Sequence, residues 1–492
     1  MRKLLIIPII ILTAIYVNAQ NITDVVRWSS IDYLGTARVL GSGSSFGAMG
    51  GDFSVININP AGIGDYRISE FTLTPSLRGS KSSAWFTQDS LNISAGKSSK
   101  LGLDNIGFVL ASNPGGTLTS SNFAFGYSRI ADLNQSFRLA GNKAGSITYH
   151  FANEAQGKSI DDLDDFIGYP AYYTGAIFKG DNNEYSTDFP NDKVKVATVQ
   201  DVYHSGGINE LTMGWAGEYD NQLNFGVSVG VPFPSFEQLK TYKESDPNDD
   251  IEYFDDLTFT ERLHTSGVGF NFKTGFTYKI QNVVRIAGAF HSPTWYKFTD
   301  DYGTSLEYVF TDAIGTERTS YDSPGGVFEY KITTPWRAIG SIGTTLRLGE
   351  IRGFINGDIE FVDYTNARYN GTAYLDTPSE QQWTQSVNQE ILTKLGTATN
   401  IRLGGEFGYK GLRLRGGYSI ERTAYNADDF YNNKVSFGLG FRADRFFMDL
   451  GIRIAQYNEG YYPYYIDGAK NNPLANIETE RTRGNLTLGF KF

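Results

Sequence analysis

Cysteine is absent from the 492-residue sequence, and this absence excludes several classes of protein. Folds held by disulfides, thiol catalysis, cysteine zinc sites and lipidation of an N-terminal cysteine all need that residue. Basic residues are in the minority, with 43 against 54 acidic ones, and the net charge is −11. A nucleic-acid partner is therefore not expected, since such proteins carry an excess of positive charge.

The second missing feature is a long hydrophobic run. Beyond the N-terminus no apolar stretch approaches the roughly 20 residues that a membrane-spanning helix needs, which excludes a helical membrane protein. A mean hydropathy of −0.31 still permits a membrane β-barrel, because barrel strands alternate polar and apolar residues. The 31 tyrosines, 34 phenylalanines and 55 glycines argue against an ordinary set of soluble domains.

The N-terminus has the features of a secretory signal peptide over residues 1–19. Arg2 and Lys3 precede an apolar run at 4–12, and Val17-Asn18-Ala19 ends on a suitable cleavage site. The apolar run is too short for a membrane anchor. We therefore expect export, with cleavage near Ala19.

Strict alternation of apolar and polar residues dominates the rest of the chain. At 223–231, Leu, Phe and Val alternate with Asn, Gly and Ser, and similar patterns occur at 412–421, 435–442, 446–454 and 485–492. A period of two residues predicts β-strands with one apolar and one polar face. Helical spacing is nowhere sustained.

The connections between these strands fall into two length classes. Short links occur at 220–221, 279–282, 349–350, 410–411 and 444–445, and long links at 142–209, 232–261, 299–335, 367–397 and 458–478. Short turns at one end and long loops at the other predict an up-and-down outer-membrane barrel with a wet lumen. Nine acidic residues in each of 153–193 and 232–261 favour loops that face the outside.

The C-terminal strand supports the same fold. The chain ends on Phe492, which together with Phe490 resembles the aromatic terminal signal that outer-membrane barrel-assembly machinery reads. We predict an all-β, antiparallel, up-and-down transmembrane β-barrel of about 14 strands over residues 67–492. The strand number is even, 14 or 16, if the short turns and the C-terminus share the periplasmic side.

Residues 20–66 lack alternation and are rich in glycine and serine, which permit tight turns and close backbone approach. A segment of this size fits inside a barrel of about 14 strands, so we predict an N-terminal hatch in the lumen. Residues 35–53 and the following Asn59-Pro60-Ala61-Gly62 resemble the hatch of the FadL/TodX family of outer-membrane transporters of hydrophobic compounds. Further likeness lies at 122–136 and 335–340.

The resemblance implies a function. Members of this family import hydrophobic compounds, such as long-chain fatty acids or aromatic hydrocarbons, by passive diffusion past the hatch. The implied gating residues are Asn59, Pro60, Ala61 and Gly62. The implied partners are a hydrophobic small-molecule ligand, outer-membrane lipid or lipopolysaccharide, and the assembly machinery during biogenesis.

Arginines on the polar strand faces are candidate contacts for a ligand head group. In a confined lumen a guanidinium group can hold a carboxylate through paired hydrogen bonds. The alternative is that arginine and glutamate pair across strands and satisfy a polar barrel interior. The five candidates are Arg402, Arg413, Arg415, Arg442 and Arg453.

No catalytic or metal-binding pattern is evident, so we expect neither an enzyme nor a cofactor. Residues 43–47 match Gly-x-Ser-x-Gly, but neither flank predicts the strand and helix that this motif needs. The four histidines are scattered, without ligand spacing. A second hypothesis remains open: a barrel that has lost transport and serves as a structural subunit of a larger outer-membrane complex, such as a secretion or barrel-assembly machine.

Overall fold

The computed structural model describes residues 22–87, 89–190, 193–281, 283–371, 378–427, 431–466 and 472–492. The predicted signal peptide lies outside the described residues. Antiparallel strands dominate, as the two-residue alternation predicts. The strands are β1 (Glu70–Phe86), β2 (Asp89–Leu110), β3 (Leu118–Asp132), β4 (Gln135–Ala144), β5 (Phe178–Lys179), β6 (Tyr185–Ser186), β7 (Lys195–Tyr219), β8 (Leu223–Ser245), β9 (Phe254–Ile280), β10 (Val284–His291), β11 (Trp295–Thr311), β12 (Thr316–Asp322), β13 (Gly326–Thr333), β14 (Arg337–Leu348), β15 (Ile351–Asp363), β16 (Arg368–Gly371), β17 (Thr397–Tyr409), β18 (Leu412–Arg422), β19 (Tyr431–Arg442), β20 (Phe446–Tyr461) and β21 (Ala475–Lys491).

Fourteen strands close into an antiparallel barrel, which confirms the predicted fold and the lower strand number. From β1, each strand pairs with the next in the order β2, β3, β7, β8, β9, β10, β14, β15, β17, β18, β19, β20 and β21. β21 then pairs with β1 and completes the ring. Closure provides the backbone hydrogen bonds that lipid cannot.

Several wall strands bend, and a second strand continues each of them beyond the bend. β3 and β4 both pair with β7, and β10 and β11 both pair with β9. β13 leads into β14 and β15 into β16 in the same way. Pro293 and Pro335 lie at two of these bends, where a residue without an N–H group fits because the ladder is interrupted.

The outer face of the wall carries an apolar belt. On β8, Val227, Val229 and Val231 point outward and are 52%, 37% and 40% exposed. Asn224 and Ser228 on the same strand point inward and are buried. An outward apolar band around a polar interior is the pattern of a membrane-spanning barrel.

One predicted loop is wrong. Residues 232–261 are mostly strand, because β8 and β9 run through them and leave only 246–253 as a connection. Above the belt the outer face is polar and exposed to solvent, and the apolar side chains point inward. Phe236 and Tyr242 are buried, whereas Glu237 is exposed. This reversal hides the strands from a search for one continuous alternating pattern.

The remaining connections agree with the sequence in part: the short turns are confirmed, and a second long link is wrong. The short turns follow β7, β9, β14, β17 and β19, as predicted. The predicted link 299–335 is largely strand, since it contains β12, β13 and part of β11. The first strand begins at Glu70, slightly after the predicted boundary at residue 67.

Helices lie in the N-terminal segment and in the long connections. They are α1 (Ile22–Ser29), α2 (Ala37–Gly41), α3 (Thr148–Ala155), α4 (Gly168–Thr174) and α5 (Pro378–Lys394), with short 3-10 turns at Phe53–Asn57, Pro60–Asp65, Ile160–Asp162, Asp181–Asn183 and Tyr364–Asn366. Among the described residues no helix is long and apolar enough to cross a membrane.

Four apolar clusters fill the interior of the described part of the chain, and the smallest includes Phe86 of β1, Phe137 of β4 and Ile477 of β21. Of the other three, the first is the core of the segment 30–66, called the hatch below, and includes Phe46 and Phe53. The second, the upper compartment, lies between α1, α5 and the inner faces of β8, β9, β11 and β13. The third lies beneath a cap formed by α3, α4 and the tips of β8, β9 and β11.

Candidate functional site: hatch, lumen and wall break

The predicted gate fastens the hatch to the inner wall. Asn59 caps the turn Pro60–Asp65 by accepting a hydrogen bond from the Ala61 N–H at 3.1 Å. Its Nδ2 donates to the Gly47 carbonyl at 2.7 Å and to the Phe276 carbonyl of β9 at 3.2 Å. One buried side chain therefore joins two parts of the hatch to the barrel.

Glycines in the wall allow this close approach. A methyl group at Gly275 would lie 2.2 Å from Asn59 Oδ1, and one at Gly226 would lie 2.6 Å from the backbone of Pro60. These spacings are too short for a Cβ atom, so the wall needs glycine where the hatch touches it. Gly226 on β8 and Gly275 on β9 thus belong to the docking surface.

A charged cluster holds the hatch near the short-turn end. Asp65 accepts hydrogen bonds from Lys279 Nζ at 2.5 Å and Asn224 Nδ2 at 2.8 Å, and it also pairs with Arg285. Burial alone would raise the pKa of Asp65, but Arg285 and Lys279 outweigh burial and hold this pKa below its usual range. The carboxylate therefore stays charged and bound.

All five candidate arginines lie on the inner face of the wall, and four of them already pair with an acid. Arg402 binds Glu360 at 3.3 Å, Arg415 binds Glu406 at 2.6 Å, Arg442 binds Asp449 at 2.8 Å, and Arg453 binds Asp32 at 2.8 Å. Arg38 of the hatch also binds Glu406, at 3.0 Å. These contacts match the alternative of pairing inside a polar lumen. Contact with a ligand head group stays a prediction.

The remaining predicted residues lie at the short-turn end. Arg413 donates to the Lys410 carbonyl at 2.7 Å, within the turn between β17 and β18. Phe490 faces outward and is 48% exposed. The backbone N–H of Phe492 donates to the Ser69 carbonyl at 3.1 Å, so the C-terminus lies against the start of β1. Their role as an assembly signal stays a prediction.

The chain's own N-terminal helix fills the upper compartment. Trp28 of α1 stacks on Phe298 with ring centroids 4.7 Å apart and meets Phe236 edge-on at 6.2 Å. Val25 is completely buried in the same place. An aromatic-lined space of this kind suits a hydrophobic ligand, and here α1 supplies the apolar contacts.

The wall is interrupted beside this compartment. β2 pairs with β3 only between residues 105–110 and 123–128. Beyond that point β3 bends into β4, which pairs with β7, and the described upper part of β2 pairs with β1 alone. A small cleft of about 30 Å³ lies behind the break and reaches from Asp32 in the hatch to Lys100 on the open edge of β2.

Two acids on β15 anchor the hatch and were not found from the sequence. Glu360 accepts hydrogen bonds from Tyr33 Oη at 2.6 Å and Arg337 Nη1 at 3.0 Å, in addition to its contact with Arg402. Asp358 accepts from the Phe46 N–H at 3.0 Å. The available signal was a pair of acids at alternate positions of one strand, which places both on the same face.

No protein-family model and no curated protein sequence matches this chain. Solved structures do match it. A Pseudomonas aeruginosa FadL homologue superposes with a TM-score of 0.57 at 11% identity, over 94% of this chain and 100% of that one. The toluene transporters TodX of Pseudomonas putida and TbuX of Ralstonia pickettii both give 0.50, at 12% and 9% identity, and cover 94% and 93% of this chain and 99% and 98% of their own.

The chain has a FadL-type fold. The resemblance noted in the hatch is thereby confirmed at the level of the fold, because identities this low carry no more than that. What the chain does is argued from its own lumen and wall.

Proposed function

We propose that this protein is an outer-membrane channel for the passive import of hydrophobic compounds, with acyl chains and aromatic hydrocarbons as the ligand classes. The supporting observation is the upper compartment, an apolar cluster inside the barrel that lies beside a break in the wall. By the general rule for such barrels, the short-turn end faces the periplasm and the cap faces the outside.

The physics of this route is simple. Polar lipopolysaccharide slows apolar solutes, whereas an apolar compartment captures them at about 25 cal/mol for each Å² of surface removed from water. A ligand that enters the compartment displaces α1, so the lining residues exchange their apolar contacts with α1 for contacts with the ligand. It then leaves sideways through the wall break, or past Asn59 after a local movement of the hatch.

The test is uptake of labelled dodecanoate and labelled toluene by cells. A strain that carries the protein should take up at least one compound faster than a deletion strain. Trp28→Ala should raise the rate further, since it loosens α1. Trp215→Ala, on the outer belt and 37% exposed, is the matched control and should behave like wild type. Equal uptake in the deletion strain across several such compounds would exclude import.

A second candidate is a structural subunit of a larger outer-membrane complex. The observation in its favour is that α1 fills the upper compartment and the hatch is tied to the wall by many polar contacts. The cap and the tall strands β7, β8 and β9 offer a partner ample surface above the belt. Copurification in mild detergent at fixed stoichiometry supports this role, and purification alone with bound lipid supports the channel.

A further inference from the structure

The cleft behind the wall break contains more positive charge than its acids neutralise. Its charged lining consists of Arg78, Lys100, Arg453, Arg481 and Arg483, with Asp32 and Asp132 as the acids. Arg453 binds Asp32 at 2.8 Å, and Arg483 pairs with Asp132. Arg483 also binds the buried Asp104 at 2.6 Å, so Asp132 is shared with Arg78, and the two cations Lys100 and Arg481 remain without an acid.

Arg78 is buried and incompletely satisfied. Its side chain is 10% exposed, and its Nε and Nη1 atoms have no hydrogen-bond partner. The Asp132 carboxylate lies 3.9 Å from Nη1, beyond hydrogen-bond distance, and only Nη2 donates, to the Leu101 carbonyl at 3.3 Å. A buried guanidinium with unused N–H groups is costly unless an anion completes it.

The other two cations lack a close carboxylate among the described residues. Arg481 donates to the backbone carbonyl of Asp132 at 3.0 Å and lies over the Tyr457 ring, and its Nε is also without a partner. Lys100 reaches across the break and donates to Ser205 Oγ at 2.6 Å. Positive groups therefore line the cleft from the lumen to the opening.

The outer surface next to these cations is apolar. Arg78 pairs with Lys100 across β1 and β2, and Leu77 pairs with Leu101 in the adjacent position. The two leucines point outward and are 54% and 82% exposed. Because the described part of β2 has no hydrogen-bonded strand on its other edge at this height, the cationic cleft and the apolar surface meet at the break.

We propose that this cleft binds the phosphate head group of a lipid-like amphiphile whose chain lies along Leu77 and Leu101. A phosphate monoester carries close to two negative charges and three acceptor oxygens, which suits the two cations without an acid, Lys100 and Arg481, and the unused N–H groups of Arg78. A carboxylate offers one charge and two oxygens. The inference goes beyond import, since the site can be occupied whether or not the barrel transports anything.

The test is calorimetric titration of the full chain in a neutral maltoside detergent with dodecyl phosphate. Inorganic phosphate and dodecanoate are titrated in parallel. Dodecyl phosphate should bind most tightly, and Arg78→Gln should weaken it about tenfold or more, as expected for loss of a charge-assisted contact. Lys100→Gln, on a partly exposed edge where folding is not at risk, should weaken it several-fold.

Arg138→Gln is the matched control, because that side chain is 54% exposed on the outer wall and outside the cleft. Unchanged binding of dodecyl phosphate in Arg78→Gln and Lys100→Gln overturns the site. Tight binding of inorganic phosphate overturns the lipid part, and equal binding of dodecanoate overturns the preference for phosphate. A loss in Arg138→Gln as large as in Lys100→Gln shows general charge attraction and overturns the proposal as well.

Discussion

The hatch and α1 fill the same lumen by different chemistry. The hatch is held by directional contacts, such as those of Asn59 and Asp65, whose partners are buried and would be left unsatisfied if it moved. α1 is held mainly by apolar packing, with Trp28 against Phe298. A hydrophobic ligand can replace apolar contacts but cannot replace ion pairs. The comparison therefore indicates that a ligand competes with α1 before it disturbs the hatch.

Removing a charged anchor of the hatch should have the largest effect and tests whether ion pairs hold the hatch in place. Glu360→Ala leaves Arg337 and Arg402 buried without their acid and removes the partner of Tyr33. Breaking such a buried cluster should destabilise the barrel by about 3–5 kcal/mol. The measurement is the urea midpoint of unfolding in detergent, or the temperature at which the band shifts on a gel.

The control for that variant is Glu390→Ala in α5. Glu390 pairs with Lys394 at 3.2 Å, and its side chain is 44% exposed. An exposed pair one helical turn apart contributes only about 0.3–0.5 kcal/mol, so the midpoint should hardly change. Equal shifts of the unfolding midpoint in the two variants would show that the charged contacts of the hatch stabilise the protein no more than an exposed ion pair does.

Replacing the aromatic anchor of α1 should have the next largest effect, confined to one region. Trp28→Ala should cost α1 about 3 kcal/mol of docking free energy and increase its released population roughly a hundredfold. Exchange of backbone amides in 22–29 should accelerate, while the hatch keeps its protection. A parallel acceleration in the hatch would mean that the two regions open together, contrary to the comparison.

How much of the structure can be predicted from the sequence depends on how far apart in the chain the contacting residues lie. Alternation is local, so the strands in the belt, the short turns and the closed barrel could be predicted. The contact between Tyr33 and Glu360 joins residues 327 positions apart, and no pattern near either residue reports it. Trp28 lies in a helix of only eight residues, too short for the helical spacing of Ile22, Val25 and Trp28 to stand out, so its place in the upper compartment was likewise hidden.

Asn59→Ala should have an intermediate effect on the hatch alone. It removes the donors to the Gly47 and Phe276 carbonyls, a loss of about 1–3 kcal/mol that should raise the opened population of the hatch roughly tenfold or more. Amide exchange over 47–62 should accelerate while the barrel still assembles normally. Asn366→Ala, in an exposed turn, is the control and should leave the exchange unchanged.

The smallest effect near neutral pH concerns Asp65. Burial alone would raise the pKa of Asp65, but Arg285 and Lys279 outweigh burial and hold this pKa below the ordinary value of 3.8 in the folded protein. A group with a lowered folded pKa stabilises above its unfolded pKa and loses that contribution as the pH falls towards the folded value. The part of the hatch's protection from proteolysis that Asp65 contributes, measured as the difference between wild type and Asp65→Asn, should therefore stay constant from about pH 8 to about pH 5 and decline only in stronger acid.

Asp65→Asn separates this anchor from the other acids. The variant should be somewhat less protected at neutral pH, because Lys279 and Arg285 lose a charged partner, and its residual protection should vary less below about pH 4 than that of the wild type. Lys279 keeps its contact with Glu218, so the wall strands themselves should remain folded. A difference between wild type and Asp65→Asn that shrinks near pH 6 would contradict the assignment, since Asp65 stays ionised there.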